Sequence, residues 1–244
     1  MTLLAHAIAL SAGATPTPPT APTGGLGGRP LHWLPAADLG LWATRWEGAP
    51  GTLGRDDALA HHAIVAAIAA TAPCLPVRFG TWLADAAAAA AVLTARQVSL
   101  RAALIRVAGR SELAVTLLWR ESAVAPGRGH ASAATAPGRP GRRFLEDRQA
   151  ELAAAQARHG HAEAIAADLI GQLGLIDGLM AGPADLRHAI CPTAEVAVSL
   201  AVLIPTPAAV EAKDAVSRLV GVLPGIRGVV SGPWPPYSFT AELG

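Results

Sequence analysis

Apolar positions in this chain follow two periods, separated by breaks rich in proline and glycine. Residues 2–10 form a short apolar run and predict a buried first strand. Residues 31–34 and 39–46 predict two more strands, parted by Pro35 and Asp38, with Trp33, Trp42 and Trp46 on them. Over residues 55–70 the period changes to that of a helix: His61, Ile64, Val65 and Ile68 fall at i, i+3, i+4 and i+7 and form one stripe. Pro73 and Pro76 bracket its exit, and residues 75–79 predict a short strand. Alanine-rich helix follows over 83–95, and a further helical stretch ends near Arg106. Leu113, Val115, Leu117 and Trp119 alternate, so residues 112–120 predict a strand.

Residues 122–141 lack any period and are dominated by Ala, Gly, Pro, Arg and Ser, the composition of a linker or long loop. The second half opens with a long helix over 142–173, expected to break near Gly160. Strands are predicted at 186–190 and at 196–204, the latter almost wholly apolar as a strand covered on both faces would be. An amphipathic helix follows over 208–220, and the last strand is 226–230. The order helix, strand, strand, helix, strand places helices against a mainly antiparallel sheet. The expected fold class is therefore α+β in two domains, 1–121 and 142–244, joined by 122–141.

Composition narrows the function. Nineteen basic and eighteen acidic side chains give a net charge of +1, and Lys213 is the only lysine. Such a balance offers no electrostatic case for nucleic acid or an anionic membrane. No run reaches 18 apolar residues of spanning character, and the opening residues lack the basic start of a signal peptide. Cys74 and Cys191 are too few and too far apart for a disulfide framework or a zinc pattern, and read as thiols in a reducing cytosol.

Catalytic, cofactor and metal chemistry finds no motif. Gly24, Gly25, Gly27 and Gly28 lack the strand-to-helix setting of a phosphate loop. His61 and His62 are adjacent and diverge by about 100° on a helix, so they cannot chelate one metal. His61, on the apolar stripe, reads as a core histidine satisfied by backbone groups.

The densest signal is Gly232-Pro233-Trp234-Pro235-Pro236-Tyr237-Ser238-Phe239, which holds three of the ten aromatic residues. Three prolines exclude a helix interior or a sheet centre and demand a stiff extended or turn segment. Rings on such a frame lose little entropy when buried, against their own domain or against a partner. Trp234, Pro235, Pro236, Tyr237 and Phe239 are thus candidates for partner contact, as are Arg78, an arginine amid an apolar strand, and its neighbour Phe79.

That segment resembles the terminal signature of the GvpF/GvpL family of gas vesicle proteins. Leu75-Pro76-Val77-Arg78-Phe79-Gly80-Thr81, after the helix carrying His61 and His62, resembles a second family block. Gly141-Arg142-Arg143-Phe144-Leu145 is similar to a third, with Phe144 where the family often has tyrosine. The resemblance implies two α+β domains, the C-terminal one ferredoxin-like. It implies a minor gas vesicle protein, found in the cytoplasm and at the vesicle, that supports shell assembly by binding the main shell protein and other minor vesicle proteins. A structural component of the shell surface is the alternative. A ligand-binding or enzymatic α+β domain is a further one, for which no convergent polar cluster can be named.

Overall fold

The computed structural model describes residues 2–11, 24–47, 53–120 and 140–240, with side chains from 145 onward in the last stretch. Residues 122–139 of the expected 122–141 linker and most of the loop after the first strand lie outside the described residues, whereas residues 140 and 141 already belong to a helix. The architecture is mixed α+β with two antiparallel sheets, and five α-helices among the described residues. The chain forms two compact units: Met1–Glu112 with Leu203–Ala209 and Gly232–Gly244, and Leu113–Val202 with Val210–Ser231.

In the first unit, strand β1 (Thr2–Leu10) pairs antiparallel with β3 (Leu39–Trp46), β4 (Cys74–Pro76) and β5 (Trp82–Leu83). Strand β2 (Leu31–Ala36) pairs with the outer side of β3. β1 is buried from Leu3 to Ala9 because it lies in the middle of the sheet and touches helices α1 (Arg55–Ala69) and α3 (Gln97–Val107). That burial is why its sequence is a continuous apolar run instead of an alternating one. Helix α1 buries the predicted stripe, His61, Ile64, Val65 and Ile68. Asp57 caps its start by accepting the Gly54 N–H at 2.8 Å. Helix α2 (Ala86–Ala95) starts at Asp85, whose carboxylate accepts the Ala88 N–H at 2.8 Å.

The β2–β3 hairpin turns through Ala37 and Asp38, with Ala37 at a φ of 54°. Asp38 steadies this turn. Its carbonyl accepts the Ser11 N–H at 2.9 Å, and its carboxylate accepts from Gln97 and Arg101 of α3. The bond from Gln97, with the Arg101 charge, holds the Asp38 carboxyl below its ordinary range. The Trp33 ring lies across Gly40, in the space that a side chain at 40 would take. Gly40→Ala is expected to destabilise the protein by about 1–3 kcal/mol through overpacking, measurable by urea unfolding.

Strand β4 ends earlier than its apolar pattern predicts. After Pro76 the chain turns at Arg78-Phe79-Gly80-Thr81, closed by the Thr81 N–H on the Arg78 carbonyl at 3.2 Å. Gly80 supplies the φ of 83° that such a turn needs.

The second sheet has the order β7-β8-β6-β9, from Leu186–Ile190, Val196–Pro205, Arg110–Trp119 and Ile226–Trp234. β6, which precedes the 122–141 stretch, lies inside this sheet. Its Leu113, Val115 and Leu117 are buried, as their alternation predicts. Helix α4 (Pro140–Gly174) continues through Gly160. A helical glycine costs only about 1 kcal/mol against alanine, too little to interrupt an alanine-rich helix. Ala162, Ala166, Leu169 and Leu173 form its buried stripe. After α4 come β7, β8, α5 (Ala209–Gly221) and β9, in the predicted order.

Candidate functional site: a proline-aromatic strap and its groove

The segment from Gly232 belongs to the first unit. Its first part is the end of β9, and the Gly232–Pro233 peptide is cis. Pro235 and Pro236 follow, both buried, and then a 3₁₀ turn over Tyr237–Phe239, with the Phe239 N–H on the Pro236 carbonyl at 3.2 Å. The prolines exclude longer regular structure, and a single 3₁₀ turn is what they permit.

Four contacts fasten this strap. Phe239 is 2% exposed. Both hydrogen-bonding groups of Ser238 reach the Glu112 carboxylate: its N–H donates to Oε2 at 2.7 Å and its hydroxyl to Oε1 at 2.9 Å. Arg106 places its guanidinium 5.6 Å from the Phe239 ring centre and donates to the Phe239 carbonyl at 3.5 Å. The Tyr237 hydroxyl meets Nδ1 of His62 at 3.0 Å. Burial pushes the Glu112 carboxyl above its ordinary value, against the opposing pull of the two Ser238 bonds. Burial, with the nearby Cys74 and Glu112 charges, also pushes the Tyr237 hydroxyl up, so it stays protonated.

Trp234 differs from its neighbours. It is 38% exposed, and the His62 ring sits edge-on to it with centroids 5.2 Å apart. It forms one wall of a groove of about 400 Å³. The floor is the C-terminal end of α1, at Ala66, Ala69 and Ala70, and Pro73 and Val107 add further apolar surface. The start of β6 contributes Arg110 and Ser111, and Thr206 lies beside them. The Thr206 N–H donates to the Gly109 carbonyl at 2.9 Å, and the Ser111 and Thr206 hydroxyls share a hydrogen bond of 2.8 Å. Among the described residues lining the groove, Arg110 is the one that is charged. Cys74 also lines it, but burial pushes its thiol up to about 12, which leaves it an unreactive apolar surface.

Among the candidates, Trp234, Pro235 and Pro236 line the groove, whereas Tyr237 and Phe239 anchor the strap. Arg78 and Phe79 line no part of it. Arg78 is exposed in its turn, and the Phe79 ring packs on His61 with centroids 5.4 Å apart. Glu112, His62 and Arg110 have no sequence signal of their own, since each acquires its meaning from residues far along the chain.

A second polar cluster lies within the core of the same unit. A register shift in β1 between Ala5 and Ala7 brackets His6, the kind of bulge that re-aims a side chain. His6 Nδ1 meets His61 Nδ1 at 2.9 Å, and His6 Nε2 meets the Thr44 hydroxyl at 2.7 Å. His61 Nε2 lies 3.1 Å from the Val77 carbonyl, and the Leu26 N–H donates to Thr44 Oγ1 at 3.0 Å. Only one proton arrangement satisfies all four contacts with both rings neutral. His61 Nε2–H donates to Val77, so His61 Nδ1 accepts from His6 Nδ1–H. His6 Nε2 then accepts from the Thr44 hydroxyl, which accepts from Leu26. Burial and the His61 charge lower the His6 pKa to about 3, and burial lowers that of His61 in part against its Val77 bond. With every ring nitrogen engaged, this pair is a structural relay. Among the described residues, no group of three or more His, Cys, Asp or Glu is placed to hold a metal ion. No single helix among them is long and apolar enough to cross a membrane.

The chain matches the family model for gas vesicle synthesis protein GvpL/GvpF over residues 7–241. Its fold is similar to the crystal structure of the gas vesicle protein GvpF from Anabaena sp. PCC7120, with a TM-score of 0.68 and 16% identity over 98% of each chain. It is also similar to that of GvpF from Microcystis aeruginosa, with a TM-score of 0.65 and 13% identity over 98% of each chain. No curated protein matches it. This chain therefore belongs to the GvpL/GvpF family of gas vesicle synthesis proteins.

Proposed function

We propose that this protein is an assembly factor of the gas vesicle, one that binds the hydrophobic shell subunit before or during its polymerisation. Family membership carries a gas vesicle role and association with other gas vesicle proteins. The observation that supports the finer reading is the groove beside the strap, apolar on floor and wall and presenting a partly exposed tryptophan. A shell subunit with a face turned to gas aggregates in water until that face is covered. A small-residue floor admits a close-lying segment, and a tryptophan held by its own domain binds with little loss of entropy. Arg78, exposed at its turn, is a second contact point in this reading, toward other minor vesicle proteins. The place of action is the cytoplasm, at the growing vesicle. Partner exchange of this kind requires no catalytic residue.

Co-expression with the small shell subunit tests this reading. The expected result is shell subunit in the soluble fraction, co-purifying with this protein, and little of this protein in purified vesicles. Shell subunit that stays insoluble, with this protein in washed vesicles at a fixed ratio, would establish a surface component instead.

A further inference from the structure

Strand β7 ends the second sheet and pairs with β8 on one side only. That pairing fixes which way its backbone points. The Cys191 N–H donates to the Ala197 carbonyl at 2.8 Å, in the same register that sets Ala189 against Ser199 and Arg187 against Ala201. In an antiparallel ladder such hydrogen-bonded pairs alternate with pairs whose N–H and C=O groups turn away. Leu186, His188 and Ile190 therefore turn theirs outward. Leu186 is already engaged, since its N–H donates to the Pro183 carbonyl and its carbonyl accepts from Arg187 at 3.0 Å. Among the described residues, no group meets the outward N–H and C=O of His188 and Ile190. The strands at the other three sheet ends each carry a proline, Pro35 in β2, Pro76 in β4 and Pro233 in β9, a residue that blunts an edge. β7 has none, and its Arg187, His188 and Ala189 are exposed.

We propose that two copies of this chain pair through β7, edge to edge and antiparallel, about a two-fold axis at Ala189. A two-fold contact needs a patch that complements itself. β7 does so: with the axis at Ala189, His188 of each copy faces Ile190 of the other. Each of these two pairs exchanges two N–H to C=O bonds, so the contact uses the outward groups left unmet and no others. Ala189 meets its own counterpart at a non-hydrogen-bonded position, where strands come closest, at about 4.5 Å between Cα atoms, and its side chain is small enough to fit. Arg187 faces Cys191 of the other copy, so no like charges are opposed. An axis at His188 would instead call on Leu186, whose groups are engaged. Pairing joins the two four-stranded sheets into one. A contact this short gives a weak dimer that forms as concentration rises. It is independent of the groove and of the carrier reading.

The test is sedimentation equilibrium of the full chain over a wide concentration range, joined to cross-linking. The expected result is a monomer that becomes a dimer as concentration rises. Ala189→Cys, made with Cys191→Ser so that the new thiol is the accessible one, should form a disulfide-linked dimer on mild oxidation, because the separation at the axis suits a disulfide. Ala184→Cys in the same background, also exposed but outside the strand, should not. His188→Pro deletes an outward donor and leaves the bonds to β8, which come from its odd-numbered neighbours. With an unchanged melting temperature it should weaken association about ten-fold or more, since each copy loses one bond. Ala189→Lys, which sets two ammonium groups against each other at the axis, should abolish the dimer and serves if the proline variant is unstable. A monomer at every concentration overturns the proposal, as does a dimer that survives both substitutions. A disulfide through residue 184 and not 189 overturns the register. A monomer whose His188 and Ile190 amides exchange slowly, and exchange fast after deletion of residues 122–139, assigns the edge to the chain's own connecting segment. A monomer that loses the shell subunit on His188→Pro assigns it to a strand of that subunit. Either of these also overturns the pairing of two copies.

Discussion

Replacing Phe239 with alanine is expected to destabilise the protein by about 3–5 kcal/mol, the usual cost of truncating a buried phenylalanine. The ring is 2% exposed and lies beneath the Arg106 guanidinium. Its removal opens a cavity where the strap is fastened. It also loosens the turn through which Ser238 reaches the Glu112 carboxylate, and a buried carboxylate that loses its donors costs more than the bonds themselves. Trp234→Ala, at a site 38% exposed, is expected to cost much less. Urea unfolding of the two variants checks this contrast, and comparable losses would contradict the strap anchored at Phe239.

The second large effect is acid sensitivity. His6 and His61 have folded pKa values below their ordinary 6.5, with His6 at about 3. Above pH 6.5 neither the folded nor the unfolded chain holds an extra proton on these rings. Below it the unfolded chain takes them up and the folded chain does not, so stability falls as pH falls. For His6 alone the loss at pH 5 is about 2 kcal/mol, and His61 adds to it in the same direction. Glu112 acts in the opposite sense. Its raised pKa lets the folded chain bind a proton just above the ordinary 4.5, a stabilisation that grows as pH falls there. Between pH 6.5 and 5 the histidines dominate. Urea unfolding at pH 7 and pH 5 should show the drop, and a His6→Gln variant should show a shallower one. A wild-type stability that is flat or rises on acidification would contradict the neutral relay.

Much of the fold is legible because burial leaves a period in the sequence. The α1 stripe follows from four positions at helical spacing, and β8 from an almost wholly apolar run. The β6 face follows from alternation of Leu113, Val115 and Leu117. The strap's stiffness follows from its prolines. What period cannot reveal is pairing between distant positions. The carboxylate that holds Ser238 lies 126 residues away, and the histidine that completes the His61 bonds lies 55 residues away on a bulged strand. Local patterns also misplace ends. The apolar residues Val77 and Phe79 read as strand, yet Gly80 turns the chain and leaves β4 ending at Pro76. Gly160 reads as a break, although its helical cost is small. The distinction within the strap, with Trp234 in the groove and Tyr237 and Phe239 in its anchorage, requires the fold, because all three look alike in the sequence.

That distinction decides the most direct test of the central claim. Substituting Tyr237 and Phe239 would confound binding with folding, whereas Trp234→Ala removes a groove wall and spares the anchors. The shell subunit should be co-expressed with tagged wild-type protein or with Trp234→Ala, after matched melting temperatures show that the variant folds. The carrier account predicts soluble shell subunit recovered with wild type and largely lost with the variant. Equal recovery with both would contradict the groove as the binding surface and move the carrier's contact elsewhere, and no recovery with either would contradict the carrier account itself.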